Sequence, residues 1–367
     1  MFITSDLHHY PTACTPLISF VVLLYYESYN GCTFVESIIM TSTLSDSQEN
    51  QMQFFDEYYS ILVEHQLVKG KKVYIGSKNN RKCRFCGKNA EETTFRMVAH
   101  ALPEFIGNKT LIANDECDIC NERFSRTVED HMAKFLQPYL TIGLIRGKKG
   151  VPSFKDKKKL VRIEAKSSEL EIHQSPHDEV IQFKLDREQF NIELPMQPHT
   201  PVAVYKCLTK MAISIMPEEE LNNFRDAIDW INAETHTSKS FEGLDSSLKF
   251  CLLRVTPGSM PYRGMHTLLL KRKLETTPVP YIIYVVAFGN LLLQIIIPSP
   301  QKDKILDGKQ VGMGCYPVPF DPKYNSYEHT QPKVIDLSSS EVAQNGIFNL
   351  LMAFETIEFC SDESSHE

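Results

Sequence analysis

The chain has 367 residues, of which 42% are apolar and 23% are charged. This length favours two domains, and this composition is typical of a soluble globular protein and excludes a wholly disordered one. The net charge of −7 hides an asymmetry, because residues 69–159 contain 20 basic and 10 acidic residues. That basic segment indicates a surface that meets an anion, whereas the rest of the chain is acidic.

The N-terminal region, residues 1–45, reads as an extension of uncertain role. Residues 13–26 are apolar, but Asp6 and two histidines precede them and the first basic residue is Lys69. A secretory signal peptide begins with positive charge, and this apolar run is short for a bilayer. We expect a buried or poorly ordered extension or a later start at Met40 or Met52, with a membrane anchor as the alternative.

Helical and strand patterns then follow one another, which predicts an α+β fold. The spacing of Phe54, Tyr58 and Leu62 predicts a helix over residues 46–68. Beyond the basic segment, four short alternating runs between residues 160 and 194 predict an antiparallel meander. Two helices are predicted next, and Pro217 opens the second of them.

The C-terminal part predicts further strands. A long apolar run, residues 279–297, raises the question of a membrane helix. Gly289 and Asn290 interrupt it between two β-branched and aromatic stretches, so we predict a hairpin with a tight turn. Residues 356–367 are predicted to form an acidic tail.

Four of the ten cysteines form two close pairs within the basic segment, Cys83 with Cys86 and Cys117 with Cys120. Two residues between the thiols of each pair allow all four sulfurs to reach one tetrahedral ion, which predicts a structural zinc site. The other six cysteines are scattered singly, unlike a secreted disulfide framework, so we expect a reducing cytoplasmic environment.

The loop between the pairs predicts a strand, a turn and a second strand, and a helix follows the second pair. Its motifs are Ala99-His100, Pro103-Glu104 and Gly107-Asn108, with Asn121 directly after the second pair. This order resembles the zinc-stapled, four-cysteine branch of the HNH endonuclease family, over residues 83–154. The last part of that range is similar to uncharacterised bacterial HNH proteins.

The resemblance implies a small ββα-metal domain, and the patterns beyond it predict a larger mixed α/β domain with antiparallel strands. It also implies a metal-dependent endonuclease that hydrolyses phosphodiester bonds with Mg²⁺ or Mn²⁺ at the junction of hairpin and helix. His100 matches the general base, since a neutral imidazole can take a proton from water near neutral pH. Asn121 matches an asparagine that orients the hairpin or the base.

The ligands of the catalytic cation are expected on the helix, with His131 first and Glu129 second, and Glu104 is a further candidate. Three consecutive helical positions point about 100° apart, so residues 129–131 cannot all face one ion. Many HNH enzymes carry an acidic residue directly before the base, and here that position is Ala99. The missing ligand then comes from Glu104, Asn108 or the helix, or the site is weakened.

Basic residues around these motifs are expected to contact phosphates without reading sequence. The predicted set is Arg81, Lys82, Arg84, Arg123, Arg126, Arg146, Lys148 and Lys149.

The predicted organisation is an extension over 1–45, a zinc-stapled nuclease domain with a preceding helix over 46–159, a mixed α+β domain over 160–355 and a tail over 356–367. The substrate is expected to be nucleic acid, most readily DNA, with no membrane partner. A regulatory partner or a homo-oligomer through the C-terminal domain would suit a regulated defence or mobile-element nuclease. The alternatives are a non-catalytic zinc protein that binds nucleic acid, and a protein whose function lies in its C-terminal domain.

Overall fold

The computed structural model describes residues 14–18, 23–24, 48–68, 70–155, 161–166, 169–174, 181–184, 189–236, 249–256, 260–262, 264–309, 311, 314–319, 332–353 and 358–361. Its α-helices are α1 (Gln48–Tyr58), α2 (Asp118–Phe124), α3 (Asp130–Ile142), α4 (Pro201–Ile215) and α5 (Arg225–Asn232). Its strands are β1 (Cys14–Ile18), β2 (Leu23–Leu24), β3 (Tyr59–Leu67), β4 (Val73–Ile75), β5 (Ala99–His100), β6 (Leu111–Ala113), β7 (Phe154–Lys155), β8 (Val161–Lys166), β9 (Glu169–Gln174), β10 (Ile181–Lys184), β11 (Gln189–Pro195), β12 (Phe250–Val255), β13 (Met265–Arg272), β14 (Ile282–Phe288), β15 (Leu291–Ile297), β16 (Lys333–Asp336), β17 (Ile347–Ala353) and β18 (Glu358–Ser361).

The largest sheet has six strands in the order β16-β12-β15-β14-β13-β3, all antiparallel. Both β14 and β15 are buried along their whole length. Gly289 adopts a left-handed φ of 58° between them, which the tight turn requires. The predicted hairpin is confirmed, and the mixture of helices with antiparallel sheets makes the fold α+β.

The helix predicted over 46–68 is only half right. Helix α1 ends at Tyr58, and residues 59–67 form β3, which pairs with β13 at the edge of the six-stranded sheet. Apolar side chains recur in this stretch at a spacing that a helix would also use. Pairing with a strand about 200 residues later decides the outcome, and no local pattern shows it.

The four strands of the predicted meander form, but they belong to two different sheets. Strands β8 and β9 form one hairpin and β10 and β11 another, as the alternation indicates. The two hairpins belong to different sheets, ordered β18-β1-β9-β8-β7 and β10-β11-β17-β2. Strand β18 lies within the predicted acidic tail, and residues 356–357 and 362–367 of that tail lie outside the described residues.

The basic segment folds around a small sheet, β4-β6-β5, and one long helical stretch from Asp118 to Ile142. A π turn at Ser125–Glu129 separates α2 from α3. Helix α4 contacts both the π turn and α3, so a helix of the C-terminal half packs directly on this unit. Among the described residues, no helix is both long and apolar enough to cross a membrane.

Candidate metal centre and active site

The four paired cysteines converge at the base of the hairpin. Their Sγ atoms all lie within 4.8 Å of one another, and the Sγ atoms of Cys86 and Cys117 are 3.7 Å apart. Four sulfurs placed tetrahedrally at about 2.3 Å from a zinc ion would be separated by about 3.8 Å. The spacing therefore fits a closed structural zinc site, as the sequence predicts.

Local backbone geometry brings each pair together. The first pair lies in a tight turn in which the Gly87 amide donates to the Cys83 carbonyl at 2.8 Å, and Gly87 has a φ of 73°. In the second pair, Cys117 is the N-cap of α2 and Cys120 lies in the first helical turn. The helix therefore begins at Asp118, three residues before the predicted start at Asn121.

The closely spaced thiols influence one another. The hydrogen bond between Cys83 and Cys120 lowers the pKa of Cys83 to about 5 and raises the pKa of Cys120, and burial raises the pKa of Cys86 to about 11. Crowding several thiolates in a buried site is unfavourable unless a positive ion neutralises them. All seven cysteines with described side chains are free thiols, so these four are available as ligands.

The hairpin above this centre is held by Asn108. Its side-chain amide donates to the carbonyls of Leu102 and Leu111, and its carbonyl oxygen accepts from the amides of Thr110 and Leu111, at 2.7 to 3.1 Å. The residue is 1% exposed. Asn108 therefore shapes the turn, and we remove it from the candidates for the missing cation ligand.

His100 ends the first strand of this hairpin, where its main chain pairs with Ile112. Its side chain is 17% exposed, and its Nε2 atom lies 3.8 Å from Oε1 of Glu104. The other Glu104 oxygen lies 3.2 Å from the ammonium of Lys148. A carboxylate thus approaches the exposed ring nitrogen, although Ala99 itself is buried and offers none.

The surroundings of His100 lower its pKa and so favour the neutral imidazole. Burial is the largest effect that lowers the pKa of His100, and it outweighs the opposing charge of Glu104. The positive charges of Lys210, Lys148 and Lys72 act in the same direction as burial. A neutral imidazole is the form that a general base requires.

The predicted helical residues have separate surroundings. Asn121 is half-buried in the first turn of α2, and its main-chain N–H donates to the Cys117 carbonyl. Glu129 lies in the π turn and forms an ion pair with Lys210 at 3.6 Å. The Nδ1 atom of His131 accepts a hydrogen bond from the Thr200 amide at 2.9 Å. Both Glu129 and His131 thus already have partners in α4 or at its N-terminus.

Two buried ionisable side chains at this junction were not among the predicted residues, and burial raises the pKa of one of them, Glu116, to about 7. Glu116 directly precedes Cys117, and its carboxylate lies 3.0 Å from the Lys210 ammonium. Neither side chain is exposed to solvent. The sequence does carry a signal for Lys210, because a lysine on the buried face of an apolar helix needs a partner.

The predicted phosphate-binding residues divide into inner and outer groups. Arg84 is 7% exposed and contacts Asp115, so we assign it a structural role. Arg81 donates to the Phe95 carbonyl and Arg123 to Asn232. The outward-facing residues of the set are Lys82, Arg126, Arg146, Lys148 and Lys149.

Comparisons with known proteins concern only the segment that holds the four cysteines and the His100 hairpin. Residues 83–137 match the family model described as HNH endonuclease. No curated protein and no solved structure matches the chain. The matched range contains both cysteine pairs, the His100 hairpin and most of the helical stretch. Residues 83–137, with both cysteine pairs and the His100 hairpin, are therefore similar to the HNH endonuclease family.

Proposed function

We propose that this protein is a metal-dependent endonuclease that hydrolyses phosphodiester bonds in DNA. The observation that carries the proposal is the partly exposed imidazole of His100 at the end of a hairpin strand, where burial lowers its pKa. A four-cysteine centre fixes that hairpin against a helix, and a carboxylate lies beside the ring. This arrangement lies within the range that matches the HNH family.

His100 would act as the general base. The Nδ1 atom is buried and has no hydrogen-bond partner, so Nε2 is the ring nitrogen left for an attacking water. The ring takes the proton of that water while the oxygen attacks phosphorus and the leaving oxygen departs. Asn121, in the first turn of α2, is proposed to help orient this region.

Glu104 is the best candidate ligand for a catalytic Mg²⁺ or Mn²⁺. Its carboxylate is partly exposed and lies near the exposed ring nitrogen, in the region that the acidic residue missing at Ala99 would serve. Glu129 and His131 rank below it because each already has a partner. When bound, the cation would stabilise the charge that develops on the phosphate and the leaving oxygen.

The basic residues near His100 suit a polyanionic substrate. Lys72 and Lys148 act electrostatically on the imidazole, and Lys148 and Lys149 are exposed. Such contacts give affinity that is independent of sequence and falls with salt. We further propose that DNA is the preferred substrate, that the protein is cytoplasmic and that it acts in defence under control of its C-terminal half. The free cysteines support the cytoplasmic location.

The test is a plasmid-nicking assay with Mg²⁺ or Mn²⁺ on the zinc-loaded full chain. We expect nicking by the wild type and a loss of at least about 100-fold in His100→Ala, because general bases contribute about 10² to 10⁴ in rate. His173→Ala is the matched control, since His173 is an exposed histidine on β9. Equal nicking by the wild type and His100→Ala would refute the role of His100 as the base.

The second candidate is a non-catalytic zinc protein that binds nucleic acid. Two observations favour it: Ala99 lacks the acidic group, and Glu129 and His131 are engaged internally. That candidate predicts DNA binding without nicking under any divalent cation. Glu104→Gln separates the two, because loss of nicking with retained DNA binding supports only the enzyme.

A further inference from the structure

Helix α4 belongs to the C-terminal half, and it carries two lysines that are fully buried. Lys206 and Lys210 are one helical turn apart, and both are 0% exposed. A buried ammonium is unfavourable unless polar groups surround it. The identity of those groups therefore shows what each lysine holds together.

Lys206 serves the C-terminal half itself. Its ammonium donates to the carbonyls of Ala233 and Thr235, which follow α5, and it lies over the ring of Trp230. None of these groups belongs to residues 83–137, which we call the nuclease unit. Lys206 is therefore a natural control for a buried lysine on the same helix.

Lys210 is directed at the nuclease unit instead. Its Nζ atom lies 3.0 Å from Oε2 of Glu116, 3.6 Å from Oε1 of Glu129 and 3.3 Å from the main-chain oxygen of His100. These acceptors come from the segment after β6, the π turn of the helix and the end of β5. One ammonium thus contacts the segment that leads into Cys117, the helix and the strand that carries the candidate base.

We propose that Lys210 is a positioning residue of the nuclease site. By holding the His100 carbonyl and the Glu129 carboxylate around one ammonium, it fixes the hairpin strand relative to the helix. Helix α4 then forms part of the nuclease site rather than a separate domain. The effect of Lys210 on cleavage rests on the proposed function. Its effect on the position of the hairpin strand does not.

The tests compare Lys210→Met with Lys206→Met in the zinc-loaded full chain. Both variants remove a buried charge from the same helix, but only the first releases the hairpin. A displacement of about 1 Å in a catalytic group can lower a rate by about 100-fold. We expect Lys210→Met to lower kcat by about 10- to 100-fold with little change in KM, and Lys206→Met to leave kcat near the wild-type value. Lys210→Arg keeps the charge and should recover part of the loss.

Amide hydrogen exchange gives a readout that does not depend on cleavage. Lys210→Met should speed exchange in residues 99–106, whereas Lys206→Met should speed it around residues 230–236. If the wild type cuts no DNA, the proposed function fails and the exchange data alone decide the role of Lys210. Equal exchange of residues 99–106 in the two variants overturns the proposal.

A double variant covers the case in which Lys210→Met does not fold. Lys210→Met with Glu116→Gln removes one charge of each sign, so the net charge of the site stays the same while the His100 carbonyl stays unheld and Glu129 loses its partner. We expect this protein to retain zinc and to keep the low kcat and the fast hairpin exchange. Recovery of wild-type kcat and exchange would show that Lys210 only balances charge, and it would overturn the proposal.

Discussion

Arg84 offers the sharpest test of how the basic segment is used. It was predicted to contact phosphate, yet its Nε and Nη2 atoms donate to Oδ2 of Asp115 at 2.9 and 2.5 Å. Its Nη1 atom donates to the carbonyls of Ile213 and Met216, at the C-terminus of α4. We expect Arg84→Met to lower stability while leaving the salt dependence of DNA binding unchanged.

The magnitude follows from the burial of the pair. The side chains of Arg84 and Asp115 are 7% and 15% exposed, so little solvent screens them. Removing one partner of a buried ion pair costs about 3–5 kcal/mol, because the other charge is left without compensation. The other carboxylate oxygen of Asp115, Oδ1, is buried and has no hydrogen-bond partner, so no other group would compensate the charge of Asp115 in this variant. We therefore expect Arg84→Met to lower the free energy of unfolding by about 3–5 kcal/mol.

The control is Lys149→Met, which removes an exposed charge. If Lys149 contacts phosphate, the slope of log K against log salt falls by about 0.9 in this variant, with stability close to that of the wild type. Urea unfolding measures stability, and fluorescence anisotropy with a DNA duplex at several salt concentrations measures the slope. A smaller slope and wild-type stability in Arg84→Met would refute the internal role of Arg84.

Three further changes test other parts of the structure. Cys117→Ser should abolish binding of one zinc ion per chain and unfold the 83–137 unit, because closed zinc sites contribute folding energy directly; metal analysis and circular dichroism measure this. Asn108→Ala should lower the free energy of unfolding by about 2–4 kcal/mol in urea, since it leaves buried backbone groups without partners. In Gly289→Ala, a Cβ atom would lie 2.6 Å from the Ile145 side chain at a φ of 58°. We expect a thermal destabilisation that Ile145→Val partly relieves, and independent effects of the two changes would contradict that contact.

The parts of the site that local spacing determines were predictable. Two close cysteine pairs specify a four-sulfur centre, since each pair needs only a tight turn or a helix start. Gly289 and Asn290 specify a hairpin for the same local reason. His100 was predicted from the order of motifs around it and lies within the range that matches the family model, and its role as the base stays a prediction.

The parts that depend on distant contacts were not predictable. Strand β3 follows α1 without a break and is a strand because β13 pairs with it. Lys210 contacts a carbonyl 110 residues away, and no spacing rule connects the two positions. Arg84 looks like any other basic residue in a basic segment, and only the position of α4 shows that it faces inward.

The edge position of β3 has a consequence for synthesis on the ribosome. Tyr59, at the start of this strand, donates a hydrogen bond to the carbonyl of Pro280, which lies 221 residues later. At about 5–20 residues per second, the strand is exposed for roughly 10–40 s before that partner is translated. The nascent chain therefore carries an unpaired strand edge while the four-cysteine unit emerges, and chaperone binding to this segment is expected during translation.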